Sequence, residues 1–360
     1  MNFNYIKINF LKVLSRHKVR PLILGSNPKF LIIMYQKIGE MVVCSPILRE
    51  IKSAYPNADL HVIANEVNKE LALSNPYVDK VHEYKNQWQK LLPLLLSLRK
   101  LKFDVAIELE YKVISRIIIC LKIVNPNCIL SVSKGEGRYG MDPQAVMPYD
   151  YYTNPELTHQ RDTCLDILRL LKINCQNKSY DVFYSEKNNT DALSFLSLYK
   201  SSKIIVGLNI KGSEGEKKKI SKEDLVKIIL GLHSMDNNII IILFHKPDDR
   251  DWISQLIPNE ASSYVFPSYP TESLLDLAAL IDNLDLIISP DTSIVHMACA
   301  FKKPLVAIYK KNMRLFEIWH PISDCNYVVF SDYEDSLKSI NVEDIINKTS
   351  KLIKNISPNY

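Results

Sequence analysis

The stretch FLIIMYQKIGEMVVCSPILREIKSAYPNADLHVIA, residues 30–64, reads as strand, turn, helix and strand. Phe30 to Gln36 is a short apolar run without alternation, the pattern of a strand buried on both faces. A helical pattern containing Pro46 to Ser53 follows, and Leu60 to Ala64 is the next strand. The theme continues through helix Glu66 to Leu73, strand Val78 to Tyr84, helix Trp88 to Leu101 and strand Asp104 to Leu109. Strands alternating with helices predict a parallel sheet covered on both faces.

The same theme restarts at KIIVGLNI, Lys203 to Ile210. Helix Lys222 to His233, strands Ile239 to Phe244 and Tyr264 to Phe266, and helix Glu272 to Ile281 follow. Strand Leu286 to Ser289, helix Ile294 to Ala300, strand Leu305 to Tyr309 and a last amphipathic helix from Val342 to Ile353 complete it. The fold class is therefore α/β, with two Rossmann-like doubly wound sheets. Residues 1–29 are a basic arm, 30–175 one domain, 176–202 a polar linker region and 203–360 a second domain. The last helix is free in this reading to pack back on the first domain. Two such domains make an interdomain cleft, and open α/β sheets bind ligands beyond the carboxyl ends of their strands.

With 360 residues, 47% of them hydrophobic, the chain suits two cores better than one. No run of about 18 uncharged apolar residues predicts a membrane-spanning helix; Ile114 to Val124 is interrupted by Arg116 and Lys122 and reads as a buried helix. Lys7, Lys12, Arg16, Lys18 and Arg20 likewise break any signal-peptide core. The cysteines, at 44, 120, 128, 164, 175, 299 and 325, are odd in number and form no CxxC pair, which fits a reducing cytoplasm.

The net charge is +5, but residues 1–29 alone hold six Lys or Arg and no acid, which leaves the rest at about −1. A nearly neutral body argues against a nucleic-acid partner. Phe3, Ile6, Phe10, Leu11, Val13 and Leu14 can form the apolar face of a short helix in the arm. Two readings stay open: peripheral contact with the anionic inner face of the inner membrane, or an extension that is disordered or packs locally.

Chemistry-bearing residues follow the strands. After the first, Lys37-Ile38-Gly39-Glu40 makes a turn in which Gly39 permits close approach or a positive φ, and Glu40 reaches the rim of the cleft. Glu40 is a candidate general base, or simply an acid favoured at a helix start; Ser45-Pro46 reads as an N-cap with proline in the first turn. After Leu286–Ser289 comes Pro290-Asp291-Thr292-Ser293, with His296 one turn on. A capped helix start there offers free N–H groups and a positive dipole end to a diphosphate; the ordinary alternative is a plain capped helix with a core histidine. Lys211 to Lys219 is a glycine- and lysine-rich loop whose ammonium groups can meet phosphate, unless it is only a solvated charge run. Asp248 and Asp249, beyond the next strand, are placed to take ribose hydroxyls.

IGEMVVCSPILREIKSAYPNADLHVIAN, NPYVDKVHEY and LAALIDNLDLIISPDTSIVHMACAFKKPLVAIY together resemble glycosyltransferase family 9, the ADP-heptose:lipopolysaccharide heptosyltransferases. The resemblance runs from about Phe30 to Ile353. It implies the GT-B fold, two Rossmann-like domains facing across a cleft, with acceptor bound by the first and nucleotide sugar by the second. It implies inverting transfer without cofactor or metal, from ADP-heptose onto a lipid A-core glycolipid, in the cytoplasm. By the same resemblance Glu40 stands at the catalytic aspartate, beside the acceptor-side turn of Lys37 and Gly39. Asp291, Thr292 and Ser293 stand at the diphosphate-binding Asp-Thr-Gly, His296 at its histidine, and Lys218 at the phosphate-binding lysine. The chain departs from the pattern at Glu40 for Asp, Ser293 for Gly, and Ile220-Ser221 for Trp-Pro. Three alternatives follow: a GT-B transferase using another nucleotide sugar for outer-core, capsule or O-antigen glycan, a non-catalytic nucleotide-sugar-binding or scaffold member, and a GT-B-like epimerase. No GxGxxG follows either first strand, which argues against an NAD dehydrogenase.

Overall fold

Lys29–Ile33 forms β1, and four of its five residues are buried because the sheet is covered on both faces. The structure, a computed structural model, describes residues 3–16, 18–135, 148–153, 158–199, 203–212 and 215–356. The chain divides into two units, Met1–Ser179 and Tyr180–Tyr360.

In the first unit β1 is joined by β2 (Asp59–Ala64), β3 (Lys80–Glu83), β4 (Val105–Glu108), β5 (Cys128–Ser131) and β6 (Tyr151–Tyr152). All pair in parallel, in the order β3-β2-β1-β4-β5-β6. That is the doubly wound order, with its reversal between β1 and β4. Leu31, Ile33 and Ile63 pack on the buried faces of helices Trp88–Lys100 and Ser115–Val124, through Leu91, Leu95, Leu98, Ile117 and Leu121. The weakly hydrophobic β3 is left at the edge.

The second unit repeats the arrangement with β7 (Ile204–Leu208), β10 (Ile239–Leu243), β11 (Val265–Pro267), β12 (Leu286–Pro290), β13 (Leu305–Tyr309) and β14 (Asn326–Phe330). Their order, β11-β10-β7-β12-β13-β14, is again parallel and reverses between β7 and β12. Pro267 is tolerated because β11 is an edge strand. A small antiparallel hairpin, β8 (Lys211–Gly212) with β9 (Gly215–Lys219), rises from the end of β7.

Several local expectations change. The polar segment 176–202 holds a helix, Glu186–Ser197, capped by Ser185. It packs in the second unit on helix Leu274–Asn283, where Asn188 Nδ2 donates to Asp276 Oδ1 at 2.7 Å. It buries only Ala192 and Leu196, too little apolar surface to announce itself in the sequence. The last helix, Val342–Ile356, packs within its own unit on helix Lys222–Met235 and on β13 and β14. Ser45 does not cap by its side chain; it is helical and its hydroxyl donates to Val42 O at 2.7 Å. The cysteines are not all unpaired: Cys44 and Cys164 are bridged, joining helix Ile38–Cys44 to helix Gln160–Leu165. Spacing could not reveal a pair 120 residues apart.

The arm begins with helix Phe3–Ser15, which packs locally. Leu11 is buried against Val113 and Ile118, with Ile8 and Leu14 beside it. Arg20 then donates to both oxygens of Asp150 and to Pro126 O. Against the cost of burial, the Arg20 hydrogen bonds hold the Asp150 carboxyl below its usual range. Among the described residues no helix is long and apolar enough to cross a membrane.

Candidate functional site

Each unit gathers polar groups at the point where its strand order reverses, outside the carboxyl ends of the strands. In the second unit β7 delivers Asn209 and β12 delivers Asp291 and Thr292. Asn209 Nδ2 donates to Ser289 Oγ at 3.0 Å and to Thr292 Oγ1 at 3.2 Å. Thr292 caps helix Ser293–Ala300, its hydroxyl accepting from Ile294 N at 3.2 Å. Ser293 is therefore the first residue of that helix, at the end where backbone N–H groups lack helical partners.

Lys218, on β9, donates to Asp291 Oδ2 at 2.6 Å and to Asp291 O at 3.0 Å. The hairpin comes close enough that a Cβ on Gly212 would sit 3.0 Å from Thr292 Cγ2 and 3.1 Å from Lys218 Cβ. Only a glycine lets the hairpin approach that helix start without displacement.

His296 is buried, with ring contacts to Tyr180 and Trp319. Burial pushes its pKa down to about 4, so the ring is neutral at pH 7. Its Nδ1 is buried and has no hydrogen-bond partner among the described residues.

Lys211 lies apart from this cluster in its contacts. Its ammonium pairs with Asp249 Oδ2 at 2.6 Å and lies 4.7 Å from the centre of the Trp252 ring, which Lys219 also approaches, at 5.3 Å. The structure thus brings Lys218, Asp291, Thr292, Ser293 and His296 together, and Lys211 and Asp249 together. Asp248 is exposed beside the second group.

In the first unit Lys37 is the N-cap of helix Ile38–Cys44, and Glu40 is its third residue. The Glu40 carboxylate reaches back over the helix start and accepts the Lys37 N–H at 3.0 Å. Gly39 is within the helix and does not take a positive φ. The preceding turn is held by two asparagines from beyond β2. Asn68 Nδ2 donates to Met34 O at 2.8 Å and Gln36 O at 3.1 Å, and Asn65 Nδ2 to Gln36 O at 2.9 Å.

Further acids come from β4. Glu108 is buried, accepts from Ser131 Oγ at 2.8 Å and is neutralised by the equally buried Lys134. Glu110 accepts from Gln36 Nε2 at 3.2 Å. Burial raises the Glu40 pKa, and the Glu110 charge adds to the rise against the Lys37 hydrogen bond. Glu110 is raised by burial and by Glu108. A carboxylate held above its ordinary pKa is a stronger proton acceptor once ionised.

Sequence reading missed Asn209, Asn65, Asn68, Glu108, Glu110 and Lys134. Their signal was position: each lies at or just beyond the carboxyl end of a strand, where polar residues are worth noting in an open α/β sheet. Among the described residues no cluster of three or more His, Cys, Asp or Glu could hold a metal ion.

Comparison with known proteins adds an independent finding. Residues 167–348, half of the chain, match the model of glycosyltransferase family 9 (heptosyltransferase). The chain is similar to an Escherichia coli (strain K12) protein named "Putative lipopolysaccharide heptosyltransferase 4", 25% identical over 97% of this chain and 94% of that one. A glycosyltransferase family 9 structure from Veillonella parvula superposes with a TM-score of 0.74, at 16% identity, covering 93% of this chain and all 100% of that one. The E. coli heptosyltransferase WaaC with ADP gives a TM-score of 0.67, at 15% identity, over 90% of this chain and 99% of that one.

Proposed function

From the premise that the chain belongs to glycosyltransferase family 9, the heptosyltransferases, and is a glycosyltransferase, we propose that it transfers a heptose from ADP-heptose onto a lipopolysaccharide-core glycolipid, with inversion. One observation carries the reading: the capped helix start at Thr292–Ser293, with Lys218 tied to Asp291 beside it, at the strand reversal of the second unit. Such a helix start meets the negative charge of a diphosphate without any further device. The ADP bound by a solved relative supports an adenosine donor.

In this reading the acceptor hydroxyl attacks the anomeric carbon from the face opposite the leaving group. Glu40 takes the hydroxyl proton as the new C–O bond forms. The bond from the anomeric carbon to the diphosphate oxygen breaks, and its electron pair leaves with ADP. The developing charge is met by the N–H groups at Ser293 and by the Lys218 ammonium. Neutral His296 supplies a hydrogen bond to the donor through its orphaned nitrogen. Lys211 adds positive charge near the phosphates, while Asp248 and Asp249 take ribose hydroxyls. Lys37 and Gly39 shape the acceptor-side turn. Stabilisation by these groups leaves no step that calls for a metal ion.

The test is acceptor-dependent nucleotide release. ADP-, UDP-, GDP- and CMP-sugars are each incubated with the protein and heptose-deficient lipopolysaccharide core, and free nucleotide is quantified. Release of ADP only from ADP-heptose, and only with acceptor, supports the proposal. Turnover of a different donor alone reassigns the sugar; donor binding without turnover of any overturns transfer.

A further inference from the structure

Three helices of the first unit lie side by side: Ser115–Val124 in the middle, flanked by Phe3–Ser15 and Trp88–Lys100. Together they carry seven Lys or Arg and no Asp or Glu, in a chain with 40 acidic residues. The middle helix is largely covered, and the two flanking helices spend only one face on it or on the sheet.

What they leave outside is apolar. On Trp88–Lys100, Leu91, Leu95 and Leu98 are buried, while Trp88, Leu92 and Leu96 are 40%, 43% and 47% exposed. Their spacing of four residues puts them in one outward stripe. On Phe3–Ser15, Leu11 faces inward, while Phe10 and Val13 are 58% and 64% exposed. Exposed Lys12, Arg16, Lys90, Arg99 and Lys100 border these groups. The Arg116 guanidinium lies 5.0 Å from the Trp88 ring centre, so the indole has a cation on it and the rest of its edge in water.

We propose that this three-helix layer is a peripheral docking surface for an anionic lipid bilayer. The apolar residues enter the headgroup boundary while the basic residues pair with lipid charge. Charge decides the occupant: a zwitterionic surface offers no net counter-charge to the exposed Lys12, Arg16, Lys90, Arg99 and Lys100, and a second copy of the same face brings like charges together. The aromatic with a polar edge, flanked by cations, is the residue type that settles at a membrane interface. The surface reaches beyond the N-terminal arm, because Trp88–Lys100 belongs to the folded unit and offers the same chemistry independently.

The experiment is co-sedimentation of the full chain with vesicles, without donor or acceptor, so that its outcome is separate from that of the proposed transfer. Vesicles of phosphatidylcholine alone are compared with vesicles also containing phosphatidylglycerol. Binding is expected only with the anionic vesicles, and added salt should release it. The pairs Phe10→Asn/Val13→Asn and Leu92→Gln/Leu96→Gln should each lower partitioning on the order of tenfold, as should Lys12→Glu/Lys90→Glu. Circular dichroism verifies that each variant is folded. Equal binding to both vesicles, no binding to either, or unchanged binding by all folded variants overturns the proposal. So does concentration-dependent dimerisation that the same variants abolish in the absence of lipid binding.

Discussion

Lys218 Nζ lies 2.6 Å from Asp291 Oδ2 and also donates to the Asp291 carbonyl, so the ammonium is held across the start of helix Ser293–Ala300. Lys218→Ala should lower kcat by about a hundredfold to a thousandfold, the usual loss when one stabiliser of leaving charge is removed. Lys218→Arg should recover little, because the longer planar fork does not reproduce a point charge at this position. Steady-state kinetics decide it: full activity in the alanine variant would remove Lys218 from the chemistry.

Asn209 ties the ends of β7 and β12 together through Ser289 and Thr292. Thr292→Val removes the helix cap and should cost about 1 kcal/mol, a melting shift of a few degrees. Asn209→Leu removes the amide that bridges the two hydroxyls and should raise the donor KM more than it lowers kcat. An unchanged KM would mean that this bridge shapes the fold but not the donor site.

Gly212→Ala puts a methyl group against Thr292 Cγ2 and Lys218 Cβ. Both neighbours sit on the helix start or the hairpin, so relief moves one away from the other. Weaker nucleotide binding with a nearly unchanged melting temperature is expected, read by calorimetric titration. The variant Gly25→Ala, where a Cβ meets nothing within 4 Å, is the control.

Glu40→Gln should abolish transfer and spare nucleotide binding. The sign of its stability effect is also fixed. Burial raises the folded-state pKa of Glu40 above 4.5, so stability is greatest with the proton on and falls as pH rises through the folded value. At pH 7 the neutral glutamine should therefore melt no lower than the parent. In the parent, activity should fall on the acid side above the ordinary glutamate pKa. Near-normal turnover by Glu40→Gln would rule it out as the base.

His296 acts in the opposite direction. Its folded pKa of about 4 lies below the ordinary 6.5, so the unfolded chain takes up the proton first as pH falls. Stability from this group is intact above about 6.5 and lost between there and about 4, by on the order of 3 kcal/mol. His296→Gln should flatten that part of the acid-unfolding curve. A parent and variant losing stability in parallel from pH 7 to 4 would show that another histidine, such as His82, dominates.

The two sheets were legible because their central strands are continuous apolar runs, and KIIVGLNI and DLIIS each end in the residues that build the second site. Asp291, Thr292 and His296 stood out since a strand running into a capped helix leaves a local signature. Helix Glu186–Ser197 did not, because its stability comes from two buried residues and from side-chain bonds to a distant helix. Glu108 and Lys134 escaped for a related reason. Each is an unremarkable charge in sequence, and only the pairing of β4 with β5 makes them mutual counterions. The Cys44–Cys164 bridge likewise depends on the packing of two helices.

Both units place their chemistry at the same address, the gap between their first and fourth strands, although one supplies carboxylates and the other a cationic hairpin. Each address is wired by its own strands: Asn65 and Asn68 set the turn before Glu40, and Asn209 sets the turn around Thr292. In the proposed reading, sugar choice and acceptor choice are thereby separable inheritances. On the proposed roles, the junction at Ser179–Tyr180 is a natural recombination point, where exchange of a homologous second half would change the proposed donor site and leave Glu40 in place.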